Sequence, residues 1–488
     1  MSTTTAATTE LMPVEALEMR TISEPSGKQG VLQNPTERLP GDANEPSPEK
    51  GLDRATYLKL ISAGFSFIVS GCNDGSVGAL IPYMIREYNI STALVSVVYA
   101  ATFSGWVLAA LVNTHLCTYL DLGAVLSLGA VIQAIAFALR FWNPPFGLFV
   151  TSFLFASVGQ AFQDTQCNTF AASVKGAHRW LAFIHAMYAM GCLIAPFVAT
   201  AIASAGGEEK DSRWYVYYAF PLGLSVINIA LCMYAFRDTF ALKRQRGVVT
   251  GSSPPTDGAT ERQQDATRNS GQEDNNDGEI EASRNGGAVR QMRDTYTSPS
   301  VWLLCIFFFF YIGAVLTAGG WIVEYLVKER DGDLSTMGYV PAGFSGGTLL
   351  GRLLLAEPTH RYGSRKMLTI YIALSVALQL LFWFVPNIIA ASIAISLVGF
   401  FLGPLFAAGM ALGFKLFPSR IHSTALALVF LCAQVGGSVF PVLTGVIAAS
   451  DGVQVLQPIL VALLVLTGIS WIAVSRPKLV ASGTLHQE

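Results

Sequence analysis

The stretch Leu58–Pro82 reads LKLISAGFSFIVSGCNDGSVGALIP, and past Lys59 its only charge is Asp74. As a helix it is long enough to cross about 30 Å of hydrocarbon. A carboxylate at the bilayer centre costs roughly 3 kcal/mol even on the lenient insertion scale, so one kept there marks a solute or proton site facing a polar cavity. A companion stretch, Thr151 to Val174, holds Asp164 among Gln160, Gln163 and Asn168.

Composition agrees with a membrane chain: 52% of 488 residues are hydrophobic and 13% charged, and the mean hydropathy is +0.46. The net charge of -2, with the charges confined to tails and loops, argues against a basic face, and no nucleic-acid partner is expected. Cys72, Cys117, Cys167, Cys192, Cys232, Cys305 and Cys432 lie in or beside apolar stretches at no metal-ligand spacing, so they read as packing residues, with neither metal nor cofactor expected. The polar N-terminus lacks a signal-peptide pattern.

Apolar stretches fall near 58–82, 93–113, 122–141, 146–173, 180–205, 215–236, 301–326, 336–356, 367–386, 388–413, 422–449 and 454–474. The expected fold is therefore an all-α membrane protein of twelve transmembrane helices. The Pro-Asn turn between Phe384 and Ile388 is the place where two spans could be fused, giving eleven. Gly, Ser, Asn, Asp and Gln dominate 237–300, which reads as a flexible linker between two six-helix bundles at 56–236 and 301–475. Residues 1–55 and 476–488 read as tails. Basic residues near helix ends favour the tail and linker face by about three to one, so both termini and the linker are expected in the cytoplasm, with the plasma membrane as the expected location.

The two halves repeat each other weakly. Gly191 precedes Pro196 by the interval that separates Gly436 from Pro441, and Thr200 and Thr444 follow. Gly and Pro at matched depth mean close helix contact and a local bend, so Pro196 and Pro441 are candidate gating positions in halves that rock against each other. The twelve spans, the long linker, and Gly351, Arg352, Arg361, Gly363, Arg365 and Lys366 between spans eight and nine resemble the major facilitator superfamily. The resemblance implies two pseudo-symmetric six-helix bundles and a charged cytoplasmic clamp at this loop, with Arg352 and Arg361 as gating residues. His360 stands where the family's pattern has Asp, and the matching loop Asn113 to Val125 has Asp121 and Gly123 without a basic residue. Gly71-Cys72-Asn73-Asp74-Gly75-Ser76 with Pro82, and Tyr311-Ile312-Gly313 before Gly319-Gly320-Trp321, are similar to the fucose permease related group and its fungal relatives. That group's sugar and proton symport implies a coupling role for Asp74. Its frequent Glu after Tyr-x-Gly is Val315 here.

Pairing Val158-Gly159-Gln160-Ala161-Phe162 with Leu402-Gly403-Pro404-Leu405-Phe406 sets Gln160, Gln163, Asp164 and Asn168 against Pro404, Ala407, Ala408 and Leu412. Polar groups in one repeat only point to a ligand, and 160, 164 and 168 recur every four positions on one helical face with 163 beside them. Asn73, Gln160, Gln163 and Asn168 are then candidate solute ligands, and Asp74 and Asp164 candidate proton carriers. In the packing alternative, these groups satisfy each other across helices. Tyr311 and Trp321 are candidate solute contacts beside an expected break at Gly319-Gly320. His185 is a relay candidate or a rim histidine, Glu324 a rim ion pair beside Lys328 and Arg330, and Phe307 to Phe310 lipid-facing bulk.

These residues describe a monomeric, proton-coupled transporter whose partners are protons, the lipid bilayer and a small polar solute, sugar-like or another metabolite. Efflux of a secondary metabolite or drug is the alternative, with a non-transporting sensor behind it. No phosphate-binding loop and no cluster of catalytic groups is present, so an enzyme is not expected.

Overall fold

The structure is a computed structural model that describes residues 52–205, 212–240 and 290–474. The expectations for the N-terminal tail, the middle of the linker and the C-terminal tail lie outside the described residues.

Twelve helices cross the fold, and they are labelled here in chain order: α1 Arg54–Tyr88, α2 Val97–Tyr119, α3 Leu122–Phe141, α4 Phe146–Ser173, α5 Ala177–Ser204 and α6 Ala219–Ala235. The second half holds α7 Pro299–Glu329, α8 Val340–Leu354, α9 Ser364–Phe384, α10 Ile388–Leu402, α11 His422–Asp451 and α12 Leu456–Val474. Eleven candidate spans are long and apolar enough to cross a bilayer. The exception is α8, not the α9–α10 junction, where two separate helices form. At 15 residues, α8 rises about 22 Å, and the one-turn helix Leu334–Met337 and the helix Ala356–Tyr362 extend it at its two ends. Helix α10 breaks at Gly403-Pro404 and resumes as Leu405–Leu416, whereas α4 runs unbroken for 28 residues.

Two structured pieces lie inside the expected linker. Arg237–Thr239 forms a 3-10 turn, and residues 290–297 are helical. Both are held by charge. Lys59 Nζ donates to Asp238 Oδ2 at 2.6 Å, joining the start of α1 to the end of α6 and holding the Asp238 carboxyl below the usual carboxylate range. Arg420 pairs with Asp294, and Gln291 Nε2 donates to the Arg420 carbonyl at 2.7 Å.

The repeat is visible helix by helix. α1 packs along α5 as α7 packs along α11. A Cβ on Gly71 would overlap the Tyr188 carbonyl, one on Gly191 the Ile68 carbonyl and one on Gly436 the Phe309 carbonyl, so only glycine lets these backbones approach. Pro196 and Pro441 lie inside continuous α5 and α11. Residue-level pairing of α4 with α10 holds less well: Gly159 faces the Gly129 carbonyl of α3, whereas Gly403 faces the Thr348 carbonyl of α8. The break at Gly403-Pro404 turns the second copy to a different neighbour.

The halves meet on the face opposite the linker. Gly78 of α1 abuts the Gly319 carbonyl of α7, Gly320 abuts the Tyr99 hydroxyl of α2, and Thr92 Oγ1 donates to the Gly445 carbonyl of α11 at 2.9 Å. Gly319-Gly320 is therefore not a break. Helix α7 is continuous through it, and its small residues admit α1 and α2. Toward the linker face the halves touch along α5 and α8, where Arg352 reaches the His185 carbonyl, whereas α4 makes no contact of similar extent with α10 or α11 among the described residues. The molecule is closed on the far face.

Candidate functional site

Asp74, half-buried near the middle of α1, uses both carboxylate oxygens. Oδ1 accepts from Asn73 Nδ2 at 2.9 Å, and Oδ2 accepts from Gln160 Nε2 of α4 and from the Tyr188 hydroxyl of α5, each at 2.9 Å. All three donors are neutral, and among the described residues no cation pairs with it directly. Asn73 is also held at its other end, where Oδ1 accepts from Arg140 Nη1 of α3 at 2.8 Å. Four helices of the first half thus converge on one acid.

Arg140 is the residue that sequence reasoning missed. It is wholly buried in the last turn of α3. Its guanidinium carbon lies 3.5 Å from the Phe153 ring centroid, 5.2 Å from Tyr218 and 5.6 Å from Phe137, and Nε donates to Ser152 Oγ at 2.7 Å. Aromatic faces carry negative quadrupole charge, so this cage partly replaces water around a cation that no carboxylate neutralises directly. The signal was available in the sequence. Gln133 and Arg140 stand seven apart on α3, two helical turns on one face.

Asp164 is one turn from Gln160 on α4 and close enough to Asp74 for their charges to interact. Its polar neighbour on α1 is the Ser70 hydroxyl, one turn before Asp74, and neither Asp164 Oδ1 nor that hydroxyl has any other partner. Asn168 Nδ2 turns back to the Asp164 carbonyl at 2.8 Å. The two acids and Gln160 come together; Gln163 does not join them. It is fully buried, with Oε1 accepting from Gln133 Nε2 at 2.8 Å and Asn228 Nδ2 at 3.3 Å, and Nε2 donating to the Leu126 carbonyl at 3.1 Å. This residue ties α3, α4 and α6 together and has no group left for a solute. Replacing it by Leu leaves three buried polar groups without their partner, at about 1 kcal/mol per lost contact. Gln163→Leu is therefore expected to lower the melting temperature in lipid, whereas Asn168→Leu, which loses one local bond, changes it little.

In the second half, the aromatic candidates are packed. The Tyr311 hydroxyl donates to the Leu402 carbonyl at 3.1 Å, at the break in α10, and its ring stacks on Phe307. Trp321 Nε1 donates to the Pro441 carbonyl at 3.0 Å, and its side chain is 1% exposed. Tyr311 fixes the break of α10 and Trp321 the proline turn of the continuous α11, and neither is hydrogen-bonded to Asp74. Phe307 and Phe308 are buried against Trp471 and Phe406, not turned to lipid. Arg352 reaches across the halves, with Nη1 3.4 Å from the His185 carbonyl of α5, while its Nε is buried without a partner. Arg361 is exposed, 5.8 Å from the Tyr362 ring. His185 lies between Phe67 and Phe406. Glu324 is buried near the far face, where Lys328 and Arg86 of α1 act on its charge. Its expected partner Arg330 instead caps the end of α9 at the Phe382 and Trp383 carbonyls.

The fold and this buried polar centre define a membrane transporter built from two repeats. Residues 63–353 and 303–487 match the Major Facilitator Superfamily, and the chain belongs to that family. It is an integral, multi-pass membrane protein that moves a small-molecule solute and is not an enzyme. The chain is 25% identical over 427 residues to Bypass of stop codon protein 6 of Saccharomyces cerevisiae, covering 85% of this chain and 82% of that one. Its fold is similar to that of a bacterial homolog of the human lysosomal transporter Spinster, in an inward-facing and unoccupied conformation, with TM-score 0.63 and 13% identity over 87% of this chain and 98% of that one. It is also similar to a variant of the nucleoside transporter NupG, with TM-score 0.62 and 13% identity over 87% of this chain and all of that one.

Proposed function

We propose that the protein is a proton-coupled secondary transporter of a small polar organic solute, working by alternating access with Asp74 and Asp164 as the proton carriers. The observation that carries this reading is the Asp74 carboxylate, held among three neutral donors from three helices and without a direct ion pair. A carboxylate bound this way is not a structural salt bridge. It can gain and lose a proton without breaking the bundle. Asp164, with the Ser70 hydroxyl as its polar neighbour, offers a second acceptor one turn along.

Coupling follows from charge. Two carboxylates in a low-dielectric site repel each other and resist being sealed from water, so closure is easier once a proton or a solute donor has entered. Gln160, Asn73 and Tyr188 supply hydroxyl and amide chemistry suited to a hydroxyl- or carbonyl-rich solute. The basic-residue bias supports tails and linker in the cytoplasm, and on that reading a molecule closed at the far face is inward-facing.

The test uses the full chain in liposomes with an imposed pH gradient, screened against labelled sugars, nucleosides, organic acids and secreted metabolites. Accumulation of one class on the alkaline side supports symport. Accumulation in the opposite sense would replace symport by proton-driven efflux, and accumulation indifferent to the gradient would remove proton coupling.

A further inference from the structure

Arg140 combines three properties that packing does not explain: it is charged, it is wholly buried, and, besides Ser152 and the Tyr218 hydroxyl beside it, it spends a donor on the Asn73 amide. We propose that Arg140 is a positioning residue for the proton site. Its caged guanidinium sets the Asn73 amide in the one orientation that donates to Asp74, which leaves Oδ2, on the Tyr188 side, as the oxygen that exchanges the proton. This inference rests on the reading of Asp74 as a proton carrier.

The argument is one of donor and acceptor inventory. A guanidinium carries N–H donors and no acceptor, so the Asn73 oxygen must face Arg140 and its NH2 must face Asp74. Turning the amide over would set NH2 against the guanidinium and a carbonyl oxygen against the carboxylate. Arg140 itself cannot swing, because Phe153, Tyr218 and Phe137 enclose it and Ser152 holds Nε while donating to the Phe149 carbonyl.

Asp74 Oδ1 therefore always faces an N–H, and a hydrogen placed on it would point at another hydrogen. Oδ2 faces Gln160 Nε2 and the Tyr188 hydroxyl. A hydroxyl is donor and acceptor at once. When Oδ2 takes up a proton it becomes the donor, and the Tyr188 hydroxyl turns to accept. The ionisable groups around Asp74 are Asp164 on α4, Tyr188 and Cys192 on α5, Cys72 beside it on α1, and Arg140 on α3. Of these, Tyr188 is the one hydrogen-bonded to Oδ2. The relay thus points the proton of Asp74 toward α5, which packs against α8 of the other half.

Infrared difference spectra of the full chain in liposomes, recorded on pH steps, test this without a solute. Bands lost in Asp74→Asn belong to Asp74, protonated or ionised. Arg140→Gln is expected to shift those bands and roughly double their width, because a freed amide presents either end to the carboxyl. Arg140→Lys, which keeps the charge but not the fork, should do the same. Tyr188→Phe should move the protonated band alone, by removing the acceptor for Oδ2–H. Unchanged position and width in Arg140→Gln would overturn the proposal. Should that variant fail to fold, Arg140→Lys, which keeps the charge and the Asn73 amide, decides by the same criterion. If only ionised bands occur across the pH range, the carboxylate bands still judge the relay, and it is the proton-carrier reading that fails.

Discussion

Gly78→Val should drive the transporter out of the far-face-closed state. A Cβ at Gly78 would overlap the Gly319 carbonyl oxygen of α7, and backbone cannot turn aside as a flexible side chain can. Overpacking of this kind costs roughly 1–3 kcal/mol. That cost falls only on the conformation in which α1 and α7 touch. At about 1.4 kcal/mol per factor of ten, a 2 kcal/mol penalty shifts the balance between closed and open far faces roughly thirtyfold. Distance measurements by electron spin resonance, with labels carried by unnatural amino acids at Glu87 and Glu329, read this directly. The short-distance population should become the minor one, with helical content unchanged. An unaltered distribution would mean that the α1–α7 contact does not seal the far face.

The long apolar runs of this chain encode its fold plainly, because a bilayer demands about 20 apolar residues per helix and leaves few alternatives. What failed to read was the role of small residues. Gly319-Gly320 was expected to break α7, yet the same two glycines permit the approach of α1 and α2; kink and contact look alike until the partner is known. The eighth span, expected over 336–356, does form a helix, but its glycines leave it only 15 residues long. Within the site, Asp74 and Gln160 were legible as polar groups in apolar helices, and they meet at 2.9 Å. Gln163, beside Asp164 in sequence, turns to α3 and α6 because adjacent residues on a helix point about 100° apart. Tyr188 stood in an apolar run with nothing to distinguish it from packing, and Arg140 stood one residue from the end of its span, where a basic side chain ordinarily reaches the headgroups.

The second large effect concerns coupling. For one proton per solute, a one-unit pH gradient supports about a tenfold solute ratio. Asp74→Asn should reduce that ratio to about one, because the amide cannot take up a proton in the physiological range. It should nevertheless keep part of the exchange of labelled for unlabelled solute. Asn nearly matches Asp in shape and can still accept from Gln160 and Tyr188, losing the bond from Asn73 at about 1 kcal/mol. Loss of exchange and accumulation together would point to a structural role for Asp74. Full accumulation would remove it from coupling.

Direct observation of proton movement tests the central claim best. In liposomes clamped at zero membrane potential, with a pH-sensitive dye inside and no imposed gradient, the solute identified by the screen is added outside. The wild-type chain should acidify the interior as solute enters, and Asp74→Asn should not. Solute entry at the full rate with no change in internal pH would contradict the account.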